Sequence, residues 1–332
     1  VVWMHDLDTG QSFPTLELQD KVPKLLLQKY RELVTNSAFI PCGQHIQTVS
    51  DITWLSWKEK LLVERLMIRT QTILQYLEAS DFHWEETLWW LLARNFGQPV
   101  NSTVFEEMAR SLPVSILSRH KHQLQQLEAL LFGQAGLLDT VFSEQYPRML
   151  QKEYRFLQKK YGLKTINSRP AFLRMRPSAF PTLRLAQLAI FQQQQDRFFS
   201  AIRDSKQPEE LYAMLDITAN DYWHYHYLFD ETSAYRTKKL GKQTADSILI
   251  NTVVPILFAW GYYHQKQEYK DKALGWLDRI AAESNSISKG FAELGLPAKS
   301  AFDSQAYIRL KKDYCDARRC LDCVVGNRLL RS

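Results

Sequence analysis

The chain has 332 residues, of which 45% are hydrophobic and 23% charged, a composition typical of folded globular proteins that excludes an intrinsically disordered chain. This length is enough to bury one large core or two ordinary ones. The formal net charge of +6 is a weak indication of an anionic partner.

The first predicted element is a β-hairpin over residues 1–18, in which two strand-like runs flank the turn sequence Asp8-Thr9-Gly10. A hairpin alone is only marginally stable in water. We therefore expect residues 1–18 to be the remnant of an upstream α/β domain and residues 19–332 to form a helical domain. The first residues lack the pattern of a secretion signal, so we expect a cytoplasmic protein.

Helical periodicity runs through the remainder, and the predicted fold class is therefore mainly α, a large multi-helix domain. Ser80 is the expected N-cap of one helix, 81–96, and Gly97 its C-terminal stop. Thr103 and Glu106 have the spacing of a capping box that opens the next helix. The other predicted helices cover 51–77, 118–132, 143–161, 181–203, 208–217, 244–263, 267–283, 301–312 and 316–325.

Two segments need a separate interpretation. Residues 248–263 are strongly apolar, but they are shorter than the roughly 20 residues that a bilayer needs, and Asn251 and Pro255 interrupt them. They therefore predict a kinked core helix and no membrane association. Residues 162–181 contain three prolines, and they form either a sub-boundary within the helical domain or, as we favour, a loop packed on its surface.

Three of the four cysteines lie close together, in a C-x4-C-x2-C array formed by Cys315, Cys320 and Cys323, and the fourth is Cys42. Without a secretion signal, a disulfide framework is not expected. Thiolates bind zinc and iron strongly, and the x2 spacing lets two sulfur atoms share one metal. The array therefore predicts a structural site for zinc or an iron–sulfur cluster, with Cys42 as the fourth ligand.

Two alternatives to this four-cysteine site remain open. The cysteines are reduced buried thiols if the array has no ligand role, because free cysteine is among the most buried residue types. His45 is the alternative fourth ligand, since it follows Cys42 at a C-x2-H spacing.

Positive charge is concentrated between residues 148 and 184, where ten Lys or Arg and one acid give a charge of +9. Aromatic residues are interleaved with these bases, a mixture suited to phosphates and unpaired bases of DNA or RNA. A solvated charged face is the alternative. The residues predicted to contact nucleic acid are Lys159, Lys160, Lys164, Arg169, Arg174, Arg176 and Arg184.

No catalytic residue follows from the sequence. The chain has no phosphate-binding glycine loop, nucleophile elbow, zinc-protease motif or paired-carboxylate motif. The run 222–227 alternates aromatic and histidine residues and predicts a packed aromatic cluster more readily than a ligand site. Residues 128–136 predict the end of a helix followed by a turn, and Gly133 and Gly136 are the residues that mark them.

A set of short segments in a fixed order resembles the uncharacterised bacterial family known as domain of unknown function 2851. The segments are Phe13-Pro14-Thr15-Leu16-Glu17-Leu18, Ile40-Pro41-Cys42, Glu64-Arg65-Leu66, Leu131-Phe132-Gly133-Gln134-Ala135-Gly136, Arg174-Met175-Arg176-Pro177, Phe180-Pro181, Ser304-Gln305, Tyr314-Cys315 and Cys320-Leu321-Asp322-Cys323. The resemblance implies an upstream segment similar to the PD-(D/E)XK nuclease core, with His where Lys is usual. In some nucleases of that class, one remote cysteine and three clustered cysteines bind an iron–sulfur cluster.

Three functions remain in competition at this point. The first is a nucleic-acid-engaging helical domain with a four-cysteine metal staple, accessory to a nuclease-like domain of the same protein. The second is a protein-interaction scaffold without a nucleic-acid role. The third is a self-contained enzyme, which requires a cleft lined by titratable residues with perturbed pKa values.

Overall fold

A computed structural model describes residues 8–10, 21–195 and 197–331, and the predicted N-terminal hairpin lies outside them except for its turn. The described residues form a mainly α-helical fold, as the sequence predicts, with one two-stranded antiparallel hairpin elsewhere in the chain. That hairpin pairs β1 (His226–Leu228) with β2 (Glu231–Thr232).

The helices follow one another with short connections. In chain order they are α1 (Lys24–Thr35), α2 (Asp51–Ala79), α3 (Trp84–Phe96), α4 (Gln98–Arg110), α5 (Val114–His120), α6 (Leu124–Gln134), α7 (Gln145–Tyr161), α8 (Pro181–Gln194), α9 (Phe198–Asp204), α10 (Pro208–Met214), α11 (Asp221–His224), α12 (Lys242–Ile248), α13 (Val254–Tyr263), α14 (Gln267–Arg279), α15 (Ser286–Glu293), α16 (Ala301–Leu310) and α17 (Val324–Arg331). Short 3₁₀ segments cover Gly43–Thr48 and Pro177–Ala179, and π-helical segments cover Leu249–Val253 and Lys311–Cys315.

The described residues divide into two compact units. Unit 1 comprises those up to Leu62, Ser284–Ala298 and those from Ser304 onward, whereas unit 2 comprises Val63–Glu283 and Lys299–Asp303. Residues 162–181 lie wholly within unit 2.

Unit 1 is built around a core of aromatic rings. The edge of one ring meets the face of the other in the pair Trp57 and Tyr314, whose centroids are 5.2 Å apart. Phe291 stacks on Tyr307 at 4.4 Å. Such pairs add specific attraction to the burial of large apolar area. Cys315 and Cys323 belong to the same buried cluster, so the cysteine array lies in the core of this unit.

Unit 2 buries helices that are apolar on every side. In α8 all residues from Pro181 to Phe191 are buried, as expected of a helix surrounded by protein. The segment from Lys242 to Tyr263 is long and apolar enough to cross a membrane by length and composition, and 78% of its apolar window is buried inside the chain. The π-helical segment immediately precedes α13, where Pro255 lacks an N–H group, and such segments commonly accommodate a break in helical hydrogen bonding.

Several predicted helix boundaries are wrong. Residues 118–132 are divided between α5 and α6, and 316–325 is mostly turn, with α17 starting only at Val324. The N-cap of α3 is His83, whose ring accepts from the Glu86 N–H, whereas the Ser80 hydroxyl donates to the Leu77 carbonyl. Local propensity cannot anticipate these choices, since tertiary packing decides which cap is used.

Gly133 lies inside α6 and not at the turn that its sequence context predicts. A Cβ atom at this position would lie 2.1 Å from the Tyr154 ring of α7. The absence of a side chain therefore permits the close approach of α6 and α7. The turn itself is at Gly136, where φ is +69°.

We predict that Gly133→Ala lowers the free energy of unfolding by about 1–3 kcal/mol, because overpacking displaces the Tyr154 ring. The matched control is Gly275→Ala, since Gly275 lies within α14 and no neighbouring atom lies within 4 Å of the position that a methyl group would take there. The control should be neutral or stabilising by up to about 1 kcal/mol. Urea denaturation measures both, and equal midpoints for the two variants would contradict the packing explanation.

Candidate functional site

All four cysteines lie in unit 1, although Cys42 is far from the other three in sequence. Cys42 is partly buried at the start of the Gly43–Thr48 segment, and Cys315 is buried at the end of the second π-helical segment. Cys320 and Cys323 are buried in the turn that leads into α17. The fold therefore brings the remote cysteine into the same unit as the C-x4-C-x2-C array.

The four thiols influence one another electrostatically in every pairwise combination. Burial raises the pKa of Cys42 to about 12, and repulsion from Cys323 and Cys320 adds to the effect. Burial also raises the pKa of Cys315, with further contributions from Cys42, Cys323 and Cys320. Cys315 and Cys323 also belong to one buried cluster, and Cys42 packs against it.

Cys323 receives N–H donors that favour its thiolate form. Burial raises its pKa, whereas the backbone N–H groups of Gly326 and Val325 and the indole N–H of Trp57 lower it. Trp57 Nε1 finds no regular hydrogen-bond partner among the described residues, so its contact with the sulfur is a weak one. N–H groups directed at sulfur are a common feature around metal-bound thiolates.

As they stand, the described residues include no group of three or more His, Cys, Asp or Glu side chains arranged to hold a metal ion. Protonated thiols are neutral and do not attract one another, and ionised thiolates repel one another. The donor chemistry suits a soft metal, while the arrangement is more open than a closed tetrahedral site. His45, the alternative ligand, is exposed on the Gly43–Thr48 segment.

Four of the five basic residues of α7 form one exposed stripe in unit 2. Arg148, Lys152, Arg155 and Lys159 are spaced by four, three and four residues, which places them on one helix face, and all are exposed. The opposite face carries the buried residues of this helix and packs against α6. We call these four residues the α7 stripe. Arg148 donates to the Ser143 and Glu144 carbonyls, and among the described residues no member of the stripe forms a salt bridge.

The other predicted nucleic-acid contacts lie in different environments. Lys160, Lys164, Arg174 and Arg176 are exposed. Arg169 is exposed but engaged, because it pairs with Asp139 at 2.8 Å and donates to the Ile166 carbonyl.

Arg184 differs from the others because it is 6% exposed and donates to Gln187 Oε1 at 3.0 Å inside α8. Burial lowers its pKa to about 10. The structure therefore places Arg184 in the interior, where it cannot reach a phosphate at the surface.

The loop between α7 and α8 is held to unit 2 by hydrogen bonds. The Asn101 side chain accepts from the Ala171 N–H at 2.7 Å and donates to the Ala171 carbonyl at 3.0 Å. The Ile166 N–H donates to the Gln134 carbonyl. These bonds fix the segment that carries Lys164, Arg174 and Arg176.

A second polar cluster in unit 2 surrounds Glu128, which is fully buried in α6. One carboxylate oxygen accepts from the Tyr146 hydroxyl. The other accepts from Asn220 Nδ2 at 2.8 Å and from Trp223 Nε1 at 3.1 Å. Burial raises the pKa of Glu128 to about 7, despite the opposing effect of these three donors. Glu128 therefore changes charge near neutral pH.

Three stacked rings extend from this cluster. The Tyr146 and Tyr222 centroids are 4.4 Å apart, and those of Tyr222 and His226 are 4.0 Å apart. Glu144 lies beyond them, accepting from the Tyr222 hydroxyl at 2.5 Å and lying 3.1 Å from His226 Nε2. The rings thus lie between two carboxylates.

The sequence interpretation missed this cluster because its members come from three distant segments. The run 222–227 does form a packed aromatic cluster, in which the buried Trp223 stacks on Phe132. The sequence signal that could have located the site is the single carboxylate of α6, Glu128, which occurs among apolar residues that are all buried.

Comparison with known proteins gives one result. The family model described as "Protein of unknown function (DUF2851)" matches residues 1–286, a span that includes Cys42, the α7 stripe and Glu128 but ends before the cysteine array. No curated protein matches the chain, and no solved structure does. Neither the family description nor the described residues support the nuclease-like upstream domain that the resemblance implies.

Proposed function

Because the chain belongs to the DUF2851 family of proteins of unknown function, we propose a function from its own residues: it binds single-stranded nucleic acid on the α7 stripe. The observation that carries the proposal is the spacing of four exposed bases along one face of a helix. Arginine and lysine neutralise phosphates and release the counterions bound to them, which supplies most of the affinity for a nucleic-acid backbone.

The dimensions of the stripe match a short stretch of strand. Arg148 and Lys159 are 11 positions apart, so at 1.5 Å per residue the stripe is about 16 Å long. At the spacing of about 3.4 Å per nucleotide of a stacked strand, as in duplex DNA, this length corresponds to about five nucleotides. The exposed loop bases Lys164, Arg174 and Arg176 extend the positive surface in the same unit.

An aromatic side chain accompanies the stripe. Phe156 is 59% exposed, although a large apolar ring is usually buried. It follows Arg155 in α7 and lies four residues after Lys152. Exposed aromatic rings stack on unpaired bases irrespective of sequence, so the combination favours single strands over duplex.

The test is binding of fluorescent single-stranded and duplex oligonucleotides across a salt series. Four phosphate contacts on a single strand give a slope of about −2.8 in log affinity against log salt. Reversing Lys152, Arg155 and Lys159 to Glu should weaken single-strand binding roughly 100-fold at about 0.1 M salt, because each lost contact costs about fivefold.

The matched control reverses Arg236, Lys242 and Lys266 to Glu, three exposed bases of unit 2 outside α7 and the loop that follows it. It changes net charge equally and should preserve most of the affinity. An equal loss in both variants, no binding at low salt, or binding without a salt slope would each reject the proposal.

We also propose that Cys42, Cys315, Cys320 and Cys323 bind one zinc ion or iron–sulfur cluster that staples unit 1. The support is the pairwise interaction of the four thiols, the N–H donors around Cys323 and the spacing of the array. Binding requires the sulfur atoms to draw together to about 2.3 Å from a zinc ion. Such a site would join residue 42 to the last helix and would have a structural role.

A further inference from the structure

A cavity of about 600 Å³ opens beside the α7 stripe in unit 2. Its volume is within the range of small-molecule sites. The side chains that matter for recognition are Gln123, Gln126, Tyr146, Glu153, Asn220 and Tyr222. The cavity adjoins the Glu128 cluster, because Tyr146 and Asn220 belong to both.

The lining suits a nucleobase better than a phosphate. Its described residues include carboxamides, two carboxylates and two tyrosines, and none of them is Lys or Arg. Carboxamide and carboxylate groups pair with the donors and acceptors on base edges. Tyrosine rings provide stacking surfaces for unpaired bases.

The aromatic part of the lining is already organised. Tyr222 is stacked between Tyr146 and His226. Tyr146 and Tyr222 both line the cavity, so a planar ligand there meets rings that are already ordered. Because the rings are held by their neighbours, little side-chain freedom is lost when the ligand binds.

The geometry of α7 places opposite chemistry on either side of the cavity rim. Met149 and Glu153 line the cavity, whereas Arg148 and Lys152 precede them by one residue each. One residue corresponds to a rotation of about 100° around the helix axis. The Lys and Arg side chains of the stripe therefore flank the cavity without entering it. This places cations beside the phosphates of a bound strand and neutral or acidic groups beside a nucleobase.

We propose that this cavity receives one unstacked nucleobase of the strand bound along the α7 stripe. This inference rests on the proposed function and assigns its recognition site. Glu128 is a positioning residue here, since its carboxylate accepts from both Tyr146 and Asn220 and so fixes two groups of the lining.

The first experiment separates the base from the backbone. Affinity is measured for a short oligothymidylate and for an abasic strand of the same length, which presents the same phosphates. The base-containing strand should bind roughly tenfold or more tightly, the contribution expected of base stacking. Gln123→Trp, at an exposed lining position, should fill the cavity and reduce this preference while leaving the abasic affinity unchanged.

Phe156→Ala is the comparison variant, because it removes the exposed stacking ring and leaves the cavity intact. The inference requires a substantial base preference to survive in this variant. If Phe156→Ala abolishes the preference and Gln123→Trp does not, the cavity has no role and the inference is overturned.

The second experiment titrates the protein calorimetrically with free nucleosides, which lack phosphate. A separate titration uses spermidine as a cationic probe. Nucleoside binding that Gln123→Trp weakens at least tenfold, and that the α7 charge reversals leave unchanged, supports the cavity even where strand binding fails. Strand binding without base preference or nucleoside binding overturns the inference and leaves the proposed function intact. Binding of spermidine in place of nucleosides overturns it in favour of a site for organic cations.

Discussion

If the four cysteines hold the metal proposed above, replacement of Cys323 by serine should remove it and lower the melting temperature by about 10 °C or more. Structural zinc contributes on the order of 10 kcal/mol to the folding of small zinc domains, and about 1 kcal/mol corresponds to several degrees in a domain of about 100 residues. Unit 1 retains its aromatic core, so the loss should be a fraction of that contribution.

Metal content and thermal unfolding measure this effect together on protein purified without air. Zinc indicates a closed structural site, and iron with a brown colour indicates a cluster. Cys42→Ser should behave like Cys323→Ser, because both remove a ligand of the same site. Asp322→Asn is the control, since it alters an exposed residue between Cys320 and Cys323 and should retain the metal.

Wild-type protein with neither zinc nor iron would reject the staple and leave three buried thiols and one partly buried thiol. So would a Cys42→Ser variant with unchanged metal content, because the remote cysteine is the ligand that closes the site. Since burial raises the pKa of Cys42 to about 12, metal uptake should release protons and weaken as the pH falls.

The second large effect concerns Glu128 and the dependence of stability on pH. Its pKa rises from an ordinary 4.5 to about 7 in the fold, chiefly through burial. The folded protein therefore holds this proton through a pH range in which the unfolded chain has lost it. The resulting stabilisation is fully present below pH 4.5 and is lost as the pH rises to about 7. At about 1.4 kcal/mol per pH unit, the loss is about 3 kcal/mol.

Glu128→Gln should remove this part of the pH dependence, because glutamine has the same shape and does not titrate. Urea unfolding of both proteins at pH values below and above this range gives the difference in slope directly. Glu268→Gln serves as the control, since it removes an exposed carboxylate of α14. Identical slopes for wild type and Glu128→Gln would contradict the raised pKa.

Helix identity could be predicted from sequence to the extent that periodicity was strong. The stretch 51–77 and the stretch 143–161 both appear as helices with nearly the predicted bounds, and Gly162 ends the second with φ of +64°. Prediction was poorest at 316–325, where residues that belong to the turn around the cysteines were assigned to a helix. A turn whose conformation is set by packing leaves little periodic signal.

Of the α7 stripe, only Lys159 is among the nucleic-acid contacts predicted from sequence. The spacing of its bases could have located the other three, because the residues of one helix face are known once the helix is known. Arg184 shows the limit of this reasoning. It was counted with the exposed bases, yet it is buried in α8, and charge counting cannot distinguish an interior arginine from a surface one.

The sequence by itself determined the helical class of the chain, the basic face of α7 and the close spacing of three cysteines, because each depends only on residues near one another along the chain. Tertiary structure alone decided that Cys42 lies in the same unit as the array and that Glu128 meets Tyr146 and Asn220 in unit 2. Burial and long-range approach arise from the packing of whole helices, and it is this packing that shifts the pKa of a carboxyl and shapes a cavity.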